Sequence, residues 1–265
     1  MNAHQERIGY YTEEGLARTI VAATCDPAFP QYGYGVVQAT ALAGELGYPA
    51  FSALELGVAG GNGLLALQNL ASAHSASSGV AIQVAGFDLA TGMPPPLDYR
   101  DLPYIWQAGF FKMDELAIRR RLTTAQLHIG DVQETIPAYL ASGPPPIGFI
   151  SFDLDYYSST VRAFSALLDA EVNLFLPRVV CYFDDTVGPH HEMHSRFAGE
   201  LLAIDEFNDA HRLRKLGQLH GLRHKVAPND GPWVEGIYIL HLFDHARYNE
   251  YIFHRRNRQF PLAPG

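Results

Sequence analysis

The sequence predicts an α/β fold: a three-layer sandwich around a mostly parallel, seven-stranded sheet of Rossmann-like build. Two observations carry this reading. Short apolar runs alternate with stretches of helical spacing from about residue 50 onward. That alternation implies right-handed β-α-β crossovers with helices on both faces of one sheet. Each candidate parallel strand also ends on or beside a carboxylate, at Glu55, Asp88, Asp131, Asp153 and Asp184. In an open parallel sheet the carboxyl ends of the strands line the ligand crevice, so these acids gather where a site would form.

The elements follow in order. Residues 11–48 have helical spacing in two pieces: Thr12-Glu-Glu-Gly starts the first, Pro27 and Pro30 interrupt it, and Tyr34 begins the second. Ser52-Ala-Leu-Glu-Leu-Gly57 is the first buried strand, and a helix opens at Gly63. Strands follow at Val80–Asp88, Gln126–Asp131, Gly148–Asp153 and Arg178–Asp184, with a helical stretch at Ser159–Leu168. Val234–Phe243 is a further strand, placed to close the sheet antiparallel. Proline- and glycine-rich stretches such as Gly92-Met-Pro-Pro-Pro96 and Gly143-Pro-Pro-Pro146 fall between elements, as loops do. With no internal repeat or low-complexity linker, the organisation reads as an N-terminal helical cap (1–50), one catalytic unit (51–247) and a C-terminal tail (248–265).

Composition narrows the function. The chain has 265 residues, 48% of them hydrophobic, which is ample for a buried core. A net charge of -9 disfavours nucleic acid and anionic membranes as partners. The basic clusters Arg119-Arg-Arg121 and Arg255-Arg-Asn-Arg258 read as solvated helix faces or contacts in a homo-oligomer. Two cysteines make no disulfide framework, the N-terminus lacks a signal-peptide core, and no apolar run has the length of a membrane span. The expectation is a cytoplasmic protein.

The segment Glu55-Leu-Gly-Val-Ala-Gly-Gly-Asn-Gly63 is the most informative motif. Glycines let backbone reach positive φ and pass close to a ligand. A phosphate-binding P-loop needs Gly-Lys-Ser/Thr, and no lysine is present here. Gly61-Asn-Gly63-Leu-Leu-Ala66 fits a dinucleotide fingerprint, with Asp88 as ribose acid, yet it begins four residues too late and Glu55 would face a pyrophosphate unfavourably. No Gly-x-Ser-x-Gly elbow offers a hydrolase nucleophile, and His191-Glu-Met-His194 falls one residue short of a zinc-protease motif.

Taken together, Glu55–Gly63, Gly86-Phe-Asp88 with Gly92-Met-Pro94, Gly130-Asp131, Phe152-Asp-Leu-Asp-Tyr-Tyr-Ser-Ser-Thr160 and Phe183-Asp-Asp185 resemble the class I S-adenosylmethionine-dependent methyltransferases. More narrowly, Asp153-x-Asp155-x-Tyr157-x-Ser159-Thr160, the later Asp-Asp and Asp205-Glu206-Phe207 resemble the macrocin/mycinamicin-type sugar O-methyltransferases. The resemblance spans roughly residues 50–210; the flanks and the segment Gly188-Pro-His-His-Glu-Met-His194 lie outside it.

The resemblance implies that Gly57, Gly60 and Gly61 let backbone approach S-adenosylmethionine and that Glu55 contacts its amino-acid part. Asp88 would accept both ribose hydroxyls, and Asp131 would sit beside the adenine amino group, near His128 and Ile129. Capping of a following helix is the competing role for Asp88 and Asp131. Asp153, Asp184 and Asp185 form an oxygen-only cluster that repels itself unless a hard cation such as Mg2+ binds within it. Asp155 is the candidate general base, with capping of the next helix as its alternative, and His190 or His191 could serve in its place. Tyr32, Tyr34, Tyr156 and Tyr157 divide between core and cavity lining.

The function expected is methyl transfer from S-adenosylmethionine to a hydroxyl of a small natural-product or sugar-like acceptor, assisted by Mg2+. Two alternatives stand beside it: an NAD(P)-dependent oxidoreductase using the same loop, and a binding protein that keeps the fold without the chemistry.

Overall fold

A computed structural model describes residues 28–225 and 231–252. The first expected helical piece, before Ala28, and the Arg255–Arg258 cluster lie outside the described residues.

The sheet has seven strands in the order β3-β2-β1-β4-β5-β7-β6. They are β1 (Ala50–Leu56), β2 (Ala81–Asp88), β3 (Gln126–Ile129), β4 (Ile147–Phe152), β5 (Phe175–Phe183), β6 (Arg214–Gln218) and β7 (Ile237–Leu242). The first five pair in parallel, and β7 enters antiparallel between β5 and β6, as the apolar run near the C-terminus predicts. Chain order reverses between β1 and β4, where parallel pairing joins Leu54 to Ile150 and Leu56 to Phe152. That switch point is where a ligand crevice opens in such sheets.

The connecting helices are α1 (Pro30–Leu46), α2 (Asn62–Ser78), α3 (Glu115–Arg121), α4 (Val132–Ala141), α5 (Tyr157–Ala163) and α6 (Gly199–Ala210). A wider π-turn carries α5 on through Phe164–Leu168. Strand alternation sorts the side chains of β1 into two cores. Phe51 and Ala53 pack with Val36, Leu64 and Leu67 from α1 and α2. Leu54 and Leu56 pack with Ile136, Ala163 and Phe207 from α4, α5 and α6. The result is the three-layer sandwich expected, and α1 shares its core with the sheet. Among the described residues, no helix is long and apolar enough to cross a membrane.

One strand was not legible in the sequence. β6 reads Arg-Lys-Leu-Gly-Gln, and only Leu216 is buried. It is an edge strand, and Asn208 from α6 covers its free side by bonding both the N–H and the C=O of Leu216, each at 2.8 Å. That arrangement blunts an exposed ladder edge without any apolar run to announce it.

Candidate active site

Strand ends β1, β2, β4 and β5, with the loops beyond them, build the site. Gly57 turns the chain out of β1 at φ 88°, and a Cβ there would lie 1.8 Å from the carbonyl oxygen of Asp153. Only glycine lets the exit of β1 pass the end of β4 this closely. Gly61 is also left-handed, at φ 79°, where it precedes the first turn of α2. Gly60 differs: open space surrounds its missing Cβ. Gly63, outside the expected cofactor set, allows no side chain, because a Cβ would meet the Glu55 Oε1 atom at 2.0 Å.

Asp88 organises this loop. Its Oδ2 accepts the N–H groups of Val58 and Ala59, each at 2.9 Å, and its Oδ1 accepts that of Ala90 at 2.6 Å. An ionised carboxylate offers roughly four acceptor positions, so three amides leave room for one further donor. Asp131 caps α4 by accepting the Gln133 N–H at 2.9 Å, and its other oxygen pairs with Arg162. The capping role is therefore in place at Asp131, while both residues of the pair line the cavity described below.

Glu55 points into the α1/α2 layer and is buried. Its Oε1 accepts the Tyr32 hydroxyl at 2.7 Å, whereas Oε2 is buried without a partner. Burial pushes its carboxyl up to about 8, opposed by the Tyr32 hydrogen bond and reinforced by Asp88. Tyr32, Tyr34 and Tyr156 are core residues. Tyr157 bonds Glu206 through its hydroxyl at 2.5 Å.

Oxygens of Asp153, Asp155 and Asp185 lie within 4.8 Å of one another. The sequence grouped Asp153 with Asp184 and Asp185 and set Asp155 apart; in the structure Asp155 stands where Asp184 was expected. The turn after β5 explains the exchange. Asp184 accepts the hydroxyl of Tyr182 on its own strand at 2.6 Å, while Asp185 turns inward and its Oδ2 accepts the Asp155 N–H at 2.8 Å. Asp155 adopts a left-handed backbone at φ 57°, uncommon outside glycine and best tolerated by Asp and Asn.

The cluster holds protons tightly. Loss of water and then Asp184 and Glu192 push Asp155 up to about 7. Asp153 shows surface to the cavity, yet crowding by protein, followed by Asp185, Asp184 and Asp155, raises it well above the carboxylate range. Asp185 is raised likewise, first by burial and then by Asp155 and Asp184.

His190 and His191 are exposed, in a short turn (His190–Glu192) beyond Asp185, and neither lines the cavity. The imidazole turned inward is His194, which bonds Glu192 at 2.8 Å with side chains only 8% and 14% exposed. Tyr104 holds this loop from outside, its hydroxyl donating to the Glu192 carbonyl at 2.7 Å.

One cavity of about 410 Å³ joins these parts. Gly57, Asp88 and Asp131 line one end, Asp153 and Asp155 the other. Leu89, Met93, Leu97 and Phe111 supply apolar wall. Glu55, Gly60, Gly61, Asp184 and Asp185 do not line the cavity.

Among solved structures, a calicheamicin methyltransferase, CalS11, superposes with a TM-score of 0.53 over 91% of this chain and 94% of its own, at 19% identity. The fold is that of the class I S-adenosylmethionine-dependent methyltransferases. The apo structure of CalS11, described as a TDP-rhamnose 3'-O-methyltransferase, aligns at TM-score 0.43 and 19% identity over 91% of this chain and 96% of its own. The plantazolicin methyltransferase BamL, in complex with a desmethylPZN analog and SAH, aligns at 0.41 and 9% identity over 89% and 92%. No protein-family model matches the chain, and no curated protein matches it in sequence.

In this methyltransferase fold the expected glycine loop and strand-end acids fall at one crevice. What sequence reasoning missed lies behind them. Glu200, in the first turn of α6, is fully buried and accepts the Asp185 N–H at 3.2 Å. Its sequence signal is that of an ordinary acid at a helix start, favoured there by the helix dipole. Arg162 on α5 and Ser158 also line the cavity and reached it through folding alone.

Proposed function

We propose that this protein transfers a methyl group from S-adenosylmethionine to a hydroxyl of a small, hydroxylated acceptor, with a divalent cation such as Mg2+ at the acceptor end. The observation that carries the reading is the shared cavity: a glycine loop and Asp88 at one end, converging carboxylates at the other. Methyl transfer needs cofactor and nucleophile in one water-poor space, held in line.

At the cofactor end, Gly57 lets the backbone approach the ligand, and Asp88 keeps one acceptor position for a ribose hydroxyl. Asp131 borders the same end from the start of α4. Glu55 stands behind the loop with a free oxygen suited to a donor on the amino-acid part. An NAD(P) reading would bring a pyrophosphate to the same loop, against the carboxylate of Asp88.

The donor set fits a hard cation: three oxygen ligands, no sulfur or imidazole, and proton affinities raised first by burial and then by a mutual repulsion that a cation would relieve. Asp153, Asp155 and Asp185 would hold it, and a bound cation would orient the acceptor and acidify its hydroxyl. Asp153 and Asp155 both join the cluster and line the cavity; Asp155, pushed up to about 7, is the one we read as taking the hydroxyl proton. His190 and His191 are its rivals for that role. Net charge -9 favours a small acceptor over nucleic acid or an anionic membrane surface.

Calorimetric titration of the full chain with S-adenosylhomocysteine, and separately with NAD, tests the reading. Binding of the former in the micromolar range without binding of the latter is expected. NAD binding in its place overturns it.

A further inference from the structure

Glu200 lies behind the acid cluster, and its setting is unusual. It is 0% exposed. One oxygen, Oε2, accepts the Asp185 N–H at 3.2 Å; the other, Oε1, is buried and has no hydrogen-bond partner. A carboxylate oxygen removed from water without a donor costs free energy that a well-packed apolar side chain would avoid. The helix dipole does not by itself call for burial, since an acid in the first turn of α6 is favoured at the surface as well. The groups that act on Glu200 electrostatically are Asp185, Asp153 and Asp184, all of its own sign.

Glu200 is also tied to the three carboxylates whose oxygens converge: it bonds the backbone of Asp185 and feels the charges of Asp185 and Asp153. A chain of contacts links the layers: Glu200 holds the backbone of Asp185, and Asp185 holds the backbone of Asp155. Mg2+ prefers about six oxygen ligands and gives up water reluctantly, so three protein oxygens leave roughly three positions for water or acceptor. Such waters need hydrogen-bond acceptors behind them.

We propose that Glu200 is a positioning residue of a divalent-cation site: Oε1 receives a hydrogen bond from a cation-bound water while Oε2 fixes the backbone of Asp185. This rests on the cation reading of the Asp153–Asp155–Asp185 cluster and extends it by one residue. Partners of this kind orient ligands, and their loss costs about 10- to 100-fold in metal affinity.

The test is titration of Mg2+ by calorimetry, and of Mn2+ by the electron paramagnetic resonance of the free ion, into the full-length wild type, Glu200→Gln and Glu200→Met. Glutamine keeps an acceptor for Asp185 and loses the second one; methionine fills the volume with no charge to bury. Both variants should bind S-adenosylhomocysteine like wild type and bind the cations about 10- to 100-fold more weakly. Glu200→Gln separates a water acceptor from a prop for the turn, because it keeps the Asp185 bond that Glu200→Met removes; should it fail to fold, unchanged cation affinity in Glu200→Met still overturns the proposal. Unchanged cation affinity in a folded variant overturns the proposal and leaves Glu200 as a prop for the turn after β5. A wild type that binds S-adenosylhomocysteine but neither cation overturns the proposal together with the cation reading, and leaves the cofactor reading intact.

Discussion

Asp185 accepts the backbone N–H of Asp155 at 2.8 Å, so the turn beyond β5 fixes the conformation of the residue beyond β4. Through this bond two strand ends become one unit, and Asp155 is held at φ 57° with its carboxylate toward Asp153 and Asp185.

The left-handed backbone makes a stability prediction. Asp155→Gly should be more stable than Asp155→Ala by about 1 kcal/mol, because alanine meets the Cβ penalty of that region and glycine does not. Equilibrium denaturation of the two variants measures the difference. The reverse order would show that Asp155 does not hold this conformation in solution.

Gly57 and Gly60 should part company. Gly57→Ala forces a Cβ against the Asp153 carbonyl at a positive φ, and should cost more than about 2 kcal/mol and abolish cofactor binding. Gly60→Ala meets no neighbour and should stay within about 0.5 kcal/mol of wild type. Thermal midpoints and titration with S-adenosylhomocysteine report both effects.

Asp88→Asn tests the loop. The amide has one acceptor oxygen for the three N–H groups that the carboxylate now takes. At least one amide is left unsatisfied, at a cost of about 1–3 kcal/mol, and cofactor affinity should fall with it. Urea denaturation beside calorimetry separates the two losses; an unchanged stability would mean that the loop does not depend on Asp88.

Glu55 gives the protein a pH dependence of defined sign. Its folded-state value of about 8 lies above the ordinary 4.5, so its protonated form is the one the fold favours. The associated stability is complete below about 4.5 and is lost as pH rises through about 8. At about 1.4 kcal/mol per pH unit the loss is on the order of 5 kcal/mol. Glu55→Gln should therefore match wild type near pH 5 and exceed it near pH 8 in thermal midpoint, both without ligand. A Glu55→Gln protein less stable than wild type at pH 8 would contradict a neutral Glu55.

How much of this was legible differed by kind of residue. β4 and β5 are buried on both faces and read as largely apolar runs, Ile-Gly-Phe-Ile-Ser-Phe and, in β5, Val-Val-Cys-Tyr-Phe ending at Phe183. The acids at their ends followed from parallel-sheet geometry. β6 was invisible because an edge strand with one buried residue carries no pattern. Asp184 and Asp185 are neighbours in sequence, and contacts made only in the fold part them: Asp184 takes the hydroxyl of Tyr182, Asp185 the N–H of Asp155. In the histidine loop, His194 bonds Glu192, and Tyr104, 88 residues away in sequence, bonds the Glu192 carbonyl, a contact that no local pattern announces. Glu200 left no trace, since its role depends on Asp185 reaching it in space.

The central claim is one cavity with a cofactor end and a cation end. The most direct test is paired calorimetry of S-adenosylhomocysteine and Mg2+ on wild type, Asp88→Asn and Asp155→Asn. The account predicts a crossed result: Asp88→Asn loses the homocysteine ligand and keeps Mg2+, whereas Asp155→Asn keeps the ligand and loses Mg2+. Equal losses of both ligands in both variants, or full retention of both, would contradict it.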